Sequence, residues 1–482
     1  MLTNEIRERL QRHGQERVLR FWDRLDDEAR GTLGAQLATI DFELMDRLIE
    51  KWIRNTPSAE RFNAIDPVPL IPEADLSRPD AREARAAGED ALCQGRVGLI
   101  LVAGGQGTRL GFNGPKGSYP IGPISGRSLF AYHAEKIRNL QRRYACTLPW
   151  YIMVSAANRA ATEAFFREHD YFGLRVQDIR FFQQRMIPCV DDNGAFMLDA
   201  PGRLAMNPNG HGGCIPAMVE SGITKDARER GVDTLSYFQV DNWAAKVADP
   251  FFIGYHVLRG GEMSSKINRR NGPREAVGVH CLCDGEYRVI EYSELDIYPQ
   301  LLELDAHGKP VYLAGNPAIH ILSVPFIERV SHNFREFPWH LAHKKIACID
   351  DAGVRIVPDK PNGYKFETFV FDALRFIRHE PIALLIRRDG EYTPTKQFEG
   401  DNSVTAARAS MARFWGEWLD EAGVATPRDG QGNVAVDIEI SPDFAYSKEE
   451  FMDRMKGCTL DINGGISISA DGSIEYAGNR RA

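Results

Sequence analysis

The 482-residue sequence lacks the features that mark membrane, secreted and nucleic-acid-binding proteins. It has no run of about 18 consecutive apolar residues, and its charged N-terminus, MLTNEIRERLQRHGQ, has no apolar core like that of a signal peptide. Basic residues are not in excess, since the formal net charge is −8, so a nucleic acid is not an expected partner. We therefore expect a cytoplasmic protein that has no membrane partner.

Clustered cysteines are also scarce. Eight cysteines are spread along the chain, and only Cys281 and Cys283 lie close together, inside the apolar run VGVHCLC. A structural zinc site would need two further ligands at a suitable spacing. We therefore interpret this pair as alternate residues of a strand in a protein with reduced thiols.

Hydrophobic patterning divides the chain into three predicted regions. Residues 1–95 combine amphipathic helical patterns, such as FELMDRLIEKWI, with the proline-rich connector NAIDPVPLIPEADLSRPD. Residues 96–380 alternate short apolar runs with amphipathic stretches, which predicts an α/β domain with a mixed, mostly parallel, Rossmann-like sheet. Residues 381–482 contain IALLIRR, VAVDIEI and GISISADGSIEYAG, which indicate a small β-rich domain.

Within the central region, the pattern predicts specific elements. Strands are expected at VGLILVA, WYIMVSA, IRFFQQ, TLSYFQVD and EAVGVHCL. A helix is expected at LFAYHAEKIRNLQRRY, with Ser128 as its N-cap. Strand and helix alternate here, so the helices should cover the faces of a parallel sheet.

A glycine-rich loop follows the first of these strands, in the stretch LVAGGQGTRLGFNGPKGSYPIG. It does not match a Walker P-loop, because Phe112 stands where that motif needs lysine. It does not match the dinucleotide motif G-x-G-x-x-G either, because the third position is Leu110 and no acidic residue follows at the distance of about 20 residues where a ribose would need one. Bare main-chain N–H groups beside Arg109 and Lys116 instead suit a polyphosphate.

This loop and seven further segments resemble the eukaryotic-type UDP-sugar pyrophosphorylases, and most closely their UDP-N-acetylglucosamine branch. The further segments are FFQQRMIP, MNPNGHGG, VDNWAAKVADPFFIGYH, VIEYSEL, AGNPAIH, PDKPNGYKFETFVFD and YTPTK, in the order of the family. The resemblance implies a GT-A-like nucleotidyltransferase fold. It also implies a reaction in which UTP and a sugar 1-phosphate give a UDP-sugar and pyrophosphate.

The resemblance further implies a role for each matched residue. The nucleotide-binding positions are Val102, Ala103, Gly104, Gly105, Gln184, Gly210, Asp241 and Phe369. Asp241 ends the strand TLSYFQV, is followed by Asn242, and would hold Mg²⁺ between phosphates. The catalytic cations would be Arg109, Lys116 and Lys396, with Lys396 at the reacting α-phosphorus and with Lys360 and Lys365 as secondary phosphate contacts.

The sugar-binding positions leave the substrate open. Glu291, Tyr292 and Asn316 match residues that bind the sugar hydroxyl groups. His211, in MNPNGHGG, stands where the N-acetylglucosamine branch usually has asparagine and where UDP-glucose and broad-range enzymes have GHG. The expected partners are therefore UTP and a hexose or N-acetylhexosamine 1-phosphate, and we expect a monomer or a weak homo-oligomer.

Three other classes of function fit parts of the sequence less well. A uridylyltransferase fused to an acetyltransferase is disfavoured because hexapeptide β-helix repeats are missing. A Rossmann dehydrogenase is disfavoured by the glycine spacing. A nucleotide-sensing protein without activity would be indicated by loss of Lys116, Asp241 or Lys396, and all three are present.

Overall fold

The computed structural model describes residues 3–55, 60–458, 460–462 and 464–477. The chain forms two compact units, each assembled from three segments. The small unit consists of Met1–Phe62, Gln184–Ala217 and Val330–Ala373. The large unit consists of Asn63–Gln183, Met218–Arg329 and Leu374–Ala482.

The described residues form the following α-helices and strands. The α-helices are α1 (Asn4–Arg12), α2 (Asp27–Ala38), α3 (Phe42–Ile49), α4 (Pro79–Cys93), α5 (Leu129–Tyr144), α6 (Arg159–Glu168), α7 (Cys214–Glu220), α8 (Ile223–Glu229), α9 (Pro250–Leu258), α10 (Val324–His332), α11 (Arg388–Glu391), α12 (Val404–Glu421) and α13 (Lys448–Arg454). The strands are β1 (Ile65–Pro67), β2 (Val97–Val102), β3 (Trp150–Val154), β4 (Ile179–Gln183), β5 (Met186–Pro188), β6 (Leu198–Ala200), β7 (Arg203–Leu204), β8 (Met206–Pro208), β9 (Thr234–Gln239), β10 (Met263–Arg269), β11 (Val279–Cys283), β12 (Glu286–Ile290), β13 (Ala314–Gly315), β14 (His320–Ser323), β15 (His340–Lys344), β16 (Cys348–Ile349), β17 (Arg355–Ile356), β18 (Gly363–Glu367), β19 (Ala383–Ile386), β20 (Ile438–Ile440), β21 (Gly465–Ile468) and β22 (Ile474–Ala477).

One large mixed sheet organises the large unit. Its strands are ordered β1-β11-β13-β10-β14-β9-β2-β3-β4, with β12 beside β11 and β19 beside β10. Strands β9, β2, β3 and β4 pair in parallel, as do β10 and β19, and the other pairs of this sheet are antiparallel. The predicted α/β class is confirmed, and the five predicted strands of the central region correspond to β2, β3, β4, β9 and β11.

The helix α5 shows why local sequence was sufficient for several elements. The Ser128 hydroxyl accepts a hydrogen bond from the Ala131 N–H, as predicted for an N-cap. The side chains of Leu129, Ile137 and Leu140 share one helical face and are fully buried in the core of the large unit. Burial of this apolar face stabilises α5 beyond its intrinsic helix propensity.

The small unit has a core of its own. It contains α1–α3 and four two-stranded ladders, which pair β5 with β8, β6 with β7, β15 with β18 and β16 with β17. Its core includes the buried side chains of Leu10, Leu37, Phe42 and Phe366. The buried Gln15 joins two parts of this unit, because its Nε2 donates to the Gly194 carbonyl over 3.1 Å and its Oε1 accepts from the Phe196 N–H over 2.8 Å.

Two segments differ in detail from simple expectation. The proline-rich connector is extended, but part of it joins the sheet, since β1 pairs with β11 and Ile71 exchanges main-chain hydrogen bonds with the segment around β19. The C-terminal strands β20–β22 form a small sheet at the predicted positions. The longest element of that region is nevertheless the 18-residue helix α12, whose short polar and small residues hide its amphipathic pattern. Gly478, the last residue of the predicted C-terminal strand, lies outside the described residues.

Three remaining features of the fold concern the cysteine pair, potential metal-binding groups and membrane-spanning helices. Cys281 and Cys283 lie on β11 with their Sγ atoms 3.6 Å apart, and the described part of the chain contains no group of three or more potential metal-binding side chains. No helix in the described ranges has the length and apolar character needed to cross a bilayer.

Candidate active site

The glycine-rich loop leaves the buried strand β2 and folds back on itself. The Gly107 N–H donates to the Gly114 carbonyl over 2.8 Å, and the Lys116 N–H donates to the Gly105 carbonyl over 3.0 Å. The Nδ2 of the buried Asn158 donates to the carbonyls of Ala103 and Gly105 over 2.8 and 3.2 Å. These hydrogen bonds fix the loop without using the side chains that were assigned to the ligand.

One side of the loop main chain is open at Gly105. A Cβ placed there would have the Lys116 Cε, at 4.0 Å, as its nearest neighbour, so the bare α-carbon faces open space beside Lys116. Val102 and Gly104 are half-buried, whereas Ala103 is buried and Gly105 is exposed. The Arg109 side chain is exposed and has no ion pair with a described residue. An open main chain beside two cations is the arrangement that a polyphosphate needs.

Asp241 lies close to this loop in the large unit. It follows β9, which pairs in parallel with β2, so the loop and Asp241 emerge at the same edge of the sheet. The Lys116 Nζ lies 3.1 Å from the Asp241 Oδ2, and 17% and 12% of the two side chains remain exposed. The structure thus brings together a predicted phosphate-binding cation and the predicted metal-binding carboxylate.

Lys396 belongs to the same charged group. The residue as a whole is exposed, whereas its amine lies among other titratable side chains. Loss of water around the amine lowers the pKa of Lys396, but the charges of Tyr392, Asp241 and Glu291 outweigh this effect and raise the pKa above the ordinary lysine value. Lys396 therefore carries a positive charge at neutral pH, as a cation at a reacting phosphate must.

The predicted sugar-binding residues of the large unit meet at Gly278. A Cβ on Gly278 would lie 3.0 Å from the Glu291 Oε1 and 3.7 Å from the Asn316 Cβ. The Asn316 N–H donates to the Gly278 carbonyl over 2.9 Å, and its side-chain Oδ1 accepts from the Ala318 N–H over 2.9 Å. The neighbouring Tyr292 is half exposed. Glu291 and Asn316 thus border one main-chain surface, where a bulkier residue than glycine would intrude.

Four predicted residues form a second group within the small unit. The Nε2 of the buried Gln184 donates to the Gly210 carbonyl over 3.3 Å. Gly210 has a φ of +84°, and a Cβ there would lie 2.2 Å from the Thr368 carbonyl oxygen, so only glycine fits. The rings of His211 and Phe369 stack with their centroids 5.2 Å apart.

The hydrogen bond to His211 defines its tautomer. The Val370 N–H donates to the Nδ1 of His211 over 3.1 Å, so Nδ1 is the unprotonated nitrogen and the neutral ring carries its proton on Nε2. The ring of His340 also packs against Phe369, and its Nε2 is 2.9 Å from the Asp372 Oδ2. His211 is therefore a fixed N–H donor and not a freely rotating side chain.

The surroundings of the two lysines predicted as secondary phosphate contacts do not test that role. Lys360 is exposed, and Lys365 is half-buried on β18. Neither forms an ion pair with a described residue. Their assignment stays a prediction.

A family model agrees with this arrangement. The model described as UTP–glucose-1-phosphate uridylyltransferase, UDPGP, matches residues 42–405. This chain belongs to the UDPGP family. The resemblance inferred from the motifs is confirmed, and the dehydrogenase alternative is not supported.

Relatives that match most of the chain are named for the N-acetylhexosamine or N-acetylglucosamine branch of the UDPGP family. The "UDP-N-acetylhexosamine pyrophosphorylase-like protein 1" of Homo sapiens is 36% identical over 478 residues, which is 92% of this chain and 93% of that protein. The "UDP-N-acetylglucosamine pyrophosphorylase" of Saccharomyces cerevisiae is 37% identical over 388 residues, which is 78% of this chain and 79% of that protein. A crystal structure of the Trypanosoma brucei uridine diphosphate N-acetylglucosamine pyrophosphorylase is 25% identical, with a TM-score of 0.80 over 97% of this chain and 98% of that chain.

Several side chains that support the site were not predicted from the sequence. Besides Asn158, these are His133 and Lys136 on α5, which contact carbonyls of the segment that follows β9. The Lys136 Nζ donates to the Ala245 carbonyl over 2.8 Å and to the Trp243 carbonyl, and burial lowers the pKa of Lys136 to about 7. The His133 Nε2 lies 3.3 Å from the Val240 carbonyl. The sequence did not indicate this role, because a polar residue of an amphipathic helix is expected to face solvent unless its packing partner is known.

Proposed function

We propose that this member of the UDPGP family transfers a uridylyl group from UTP to N-acetylglucosamine 1-phosphate, which gives UDP-N-acetylglucosamine and pyrophosphate. The observation that carries the proposal is the contact between Lys116 and Asp241 at the ends of parallel strands, beside the open Gly105. Relatives named for this activity cover most of the chain.

The chemistry needs positioned charges and no covalent intermediate. An oxygen of the sugar phosphate attacks the α-phosphorus of UTP, the new P–O bond forms, and the bond between the α-phosphorus and the pyrophosphate oxygen breaks. The attacking phosphate is already ionised at neutral pH, so no general base is required. Lys116 and Arg109 are suited to the leaving pyrophosphate, and Lys396 to the charge that builds up on the α-phosphate oxygens.

Asp241 is the residue that would hold Mg²⁺. Mg²⁺ in such sites is bound by one or two carboxylates and completes its octahedron with phosphate oxygens and water, where it neutralises phosphate charge. A single carboxylate beside a phosphate-binding loop fits this pattern. No group of three or more potential ligands lies among the described residues, so a metal would be held mainly through the nucleotide.

The sugar is assigned from the relatives and from the residues at Gly278. The family model is named for glucose 1-phosphate, but the curated relatives over most of the chain are named for N-acetylhexosamine or N-acetylglucosamine. The Glu291 carboxylate would accept hydrogen bonds from the sugar hydroxyl groups, and the Asn316 side-chain amide would donate to them. Glucose 1-phosphate is the second candidate, and His211 is the observation that favours it. We place the reaction in the cytoplasm, in a monomer or weak homo-oligomer.

Pyrophosphate release tests the proposal. The purified chain is incubated with UTP and Mg²⁺ and with one of N-acetylglucosamine, N-acetylgalactosamine, glucose or galactose 1-phosphate, and the nucleotide product is identified by mass spectrometry. We expect the highest kcat/KM with N-acetylglucosamine 1-phosphate. A preference for glucose 1-phosphate would replace the substrate assignment, and no release with any of the four would overturn the transferase itself.

A further inference from the structure

A cluster of four charged side chains lies in the large unit, with three of them buried and the side chain of Lys246 43% exposed. Lys266 on β10 is fully buried, and its Nζ lies 2.6 Å from the Asp249 Oδ2 and also pairs with Glu391. The Nζ of Lys246 lies 3.3 Å from the other oxygen of Glu391. We call Lys246, Asp249, Lys266 and Glu391 the buried ion cluster. Its two positive and two negative charges balance.

The buried ion cluster holds Glu391 in one place. Burial alone raises the pKa of Asp249, but the positive charges of Lys266 and Lys246 outweigh it and lower this pKa, so the carboxylate stays ionised. A buried ion pair contributes little net stability compared with an apolar pair of similar size. It is favourable only when the charged atoms are held close together in a well-defined arrangement. The cluster is therefore better explained as a device that fixes the main chain at Glu391 than as a source of stability.

Glu391 begins the short segment that ends at Lys396, and Asn242 binds this segment. The Nδ2 of Asn242 donates to the Glu391 carbonyl over 2.8 Å, and its Oδ1 accepts from the Thr393 N–H over 3.0 Å. The carbonyl of Asp241 accepts from the Thr395 N–H over 2.8 Å. Asn242 is only 2% exposed, so water does not compete for these bonds.

These three hydrogen bonds join residues 241 and 242 to Glu391, Thr393 and Thr395, and Lys396 is the next residue along the chain. Asp241 and Lys396 are therefore connected through one hydrogen-bonded unit of residues 241–242 and 391–395, which the buried ion cluster fixes at Glu391. The charge of Asp241 also contributes to the raised pKa of Lys396, as expected for neighbours. In phosphoryl transfer the rate depends steeply on where such charges are held.

We propose that Asn242 is a positioning residue that holds Asp241 and Lys396 in their working arrangement, with the buried ion cluster as its fixed support. The role of the two charges rests on the proposed function, whereas the hydrogen-bonded unit itself does not. Asn242 touches neither substrate in this proposal. It acts through the main chain of residues 391–395.

The test uses the full chain with Asn242→Ala and Asn242→Asp. Alanine removes both side-chain hydrogen bonds, whereas aspartate keeps an acceptor for the Thr393 N–H and loses the donor to Glu391. We expect kcat to fall about 10- to 100-fold for alanine, and less for aspartate, with the KM of both substrates changed less than about threefold. Amide hydrogen–deuterium exchange at Thr393 and Thr395 should become faster in the alanine variant, in line with the loss of kcat.

Asn139→Ala is the matched control. Asn139 is a similarly buried amide on α5 that donates to the Asp443 carbonyl over 3.3 Å and to Glu450. Its removal should lower the melting temperature and leave kcat and exchange at residues 391–395 unchanged. Lys266→Met, which removes the support, should speed the same two amides, and if it does not fold the Asn242 variants alone decide.

Each part of the proposal has its own contradicting result. Unchanged exchange at Thr393 and Thr395 in Asn242→Ala would overturn the hydrogen-bonded unit. Faster exchange with a wild-type kcat would overturn the positioning role. If the wild-type chain itself releases no pyrophosphate from any sugar phosphate, the proposed function fails, and the exchange measurement still reports on the unit.

Discussion

Asp241 and Lys396 carry opposite charges in the large unit, and removal of either charge should slow turnover far more than it weakens the fold. We expect Asp241→Ala and Lys396→Ala each to lower kcat at least about 100-fold, because single charge-stabilising groups contribute that much in comparable sites. Steady-state kinetics with saturating UTP and N-acetylglucosamine 1-phosphate would measure this. Lys225→Ala is the matched control, since Lys225 is highly exposed and pairs with the exposed Glu229, four residues along α8. Rates near that of the wild type would remove these residues from the catalytic group.

His211 is the residue whose effect on the choice between N-acetylglucosamine 1-phosphate and glucose 1-phosphate most needs a test. Its Nδ1 accepts the Val370 N–H, so the neutral ring carries its proton on Nε2. Asparagine can keep an acceptor for Val370 and is shorter. We expect His211→Asn to raise the ratio of kcat/KM for N-acetylglucosamine 1-phosphate over glucose 1-phosphate by about 3- to 10-fold, a typical range for one repositioned hydrogen bond. An unchanged ratio would show that His211 does not set the preference.

At the scale of elements, Glu439 on β20 joins the C-terminal sheet to the chain that follows the glycine-rich loop. Its fully buried carboxylate accepts hydrogen bonds from the Ile124 and Ser125 N–H groups over 3.1 and 2.9 Å and from Tyr132 Oη over 2.8 Å, and it pairs with Arg127 over 2.7 Å. Burial raises the pKa of Glu439, but the bonds from Ser125 and the charge of Arg127 outweigh it and lower this pKa. The carboxylate is therefore ionised at neutral pH.

Removal of this charge should destabilise the large unit. We expect Glu439→Gln to lower the free energy of unfolding by about 2 to 4 kcal/mol, because Arg127 keeps only Glu135 as a buried partner and an amide cannot accept all the hydrogen bonds that the carboxylate accepts. The same change at Glu421, whose ion pair with Lys448 is exposed, should cost less than about 1 kcal/mol. Urea denaturation of both variants measures the difference, and equal losses would contradict the role given to Glu439.

At the scale of the whole molecule, three buried histidines make stability depend on pH. Burial lowers the pKa of His133, His256 and His280 to about 3. In the unfolded chain their pKa returns to about 6.5, so unfolding takes up protons between these values and stability falls as pH drops below about 6.5.

The expected slope is up to about 1.4 kcal/mol per pH unit for each histidine. Urea denaturation at pH 7.0, 6.0 and 5.5 would measure it, in a range where most carboxylates are still ionised. His280→Leu removes one of the three groups and should make the dependence shallower by the share of one histidine. A variant as steep as the wild type would show that His280 does not contribute.

Local side-chain patterns were sufficient to predict several elements. The strand VGLILVA follows from a short continuous apolar run, and the helix after Ser128 follows from helical periodicity and one capping hydroxyl, none of which needs a distant partner. The colinear motifs determined the family, and the family gave each candidate residue its role. The helix α12 was missed because its small residues weaken the periodic signal.

Which candidate residues come into contact follows from the tertiary structure and not from local sequence. Lys116 and Asp241 are 125 positions apart, and Asn242 and Glu391 are 149 apart, yet both pairs are in hydrogen-bond contact. The tertiary structure also establishes that each compact unit is built from three separate segments. Such contacts depend on the order in which strands join the sheet, and that order is set by the burial of whole faces and not by any local run of residues.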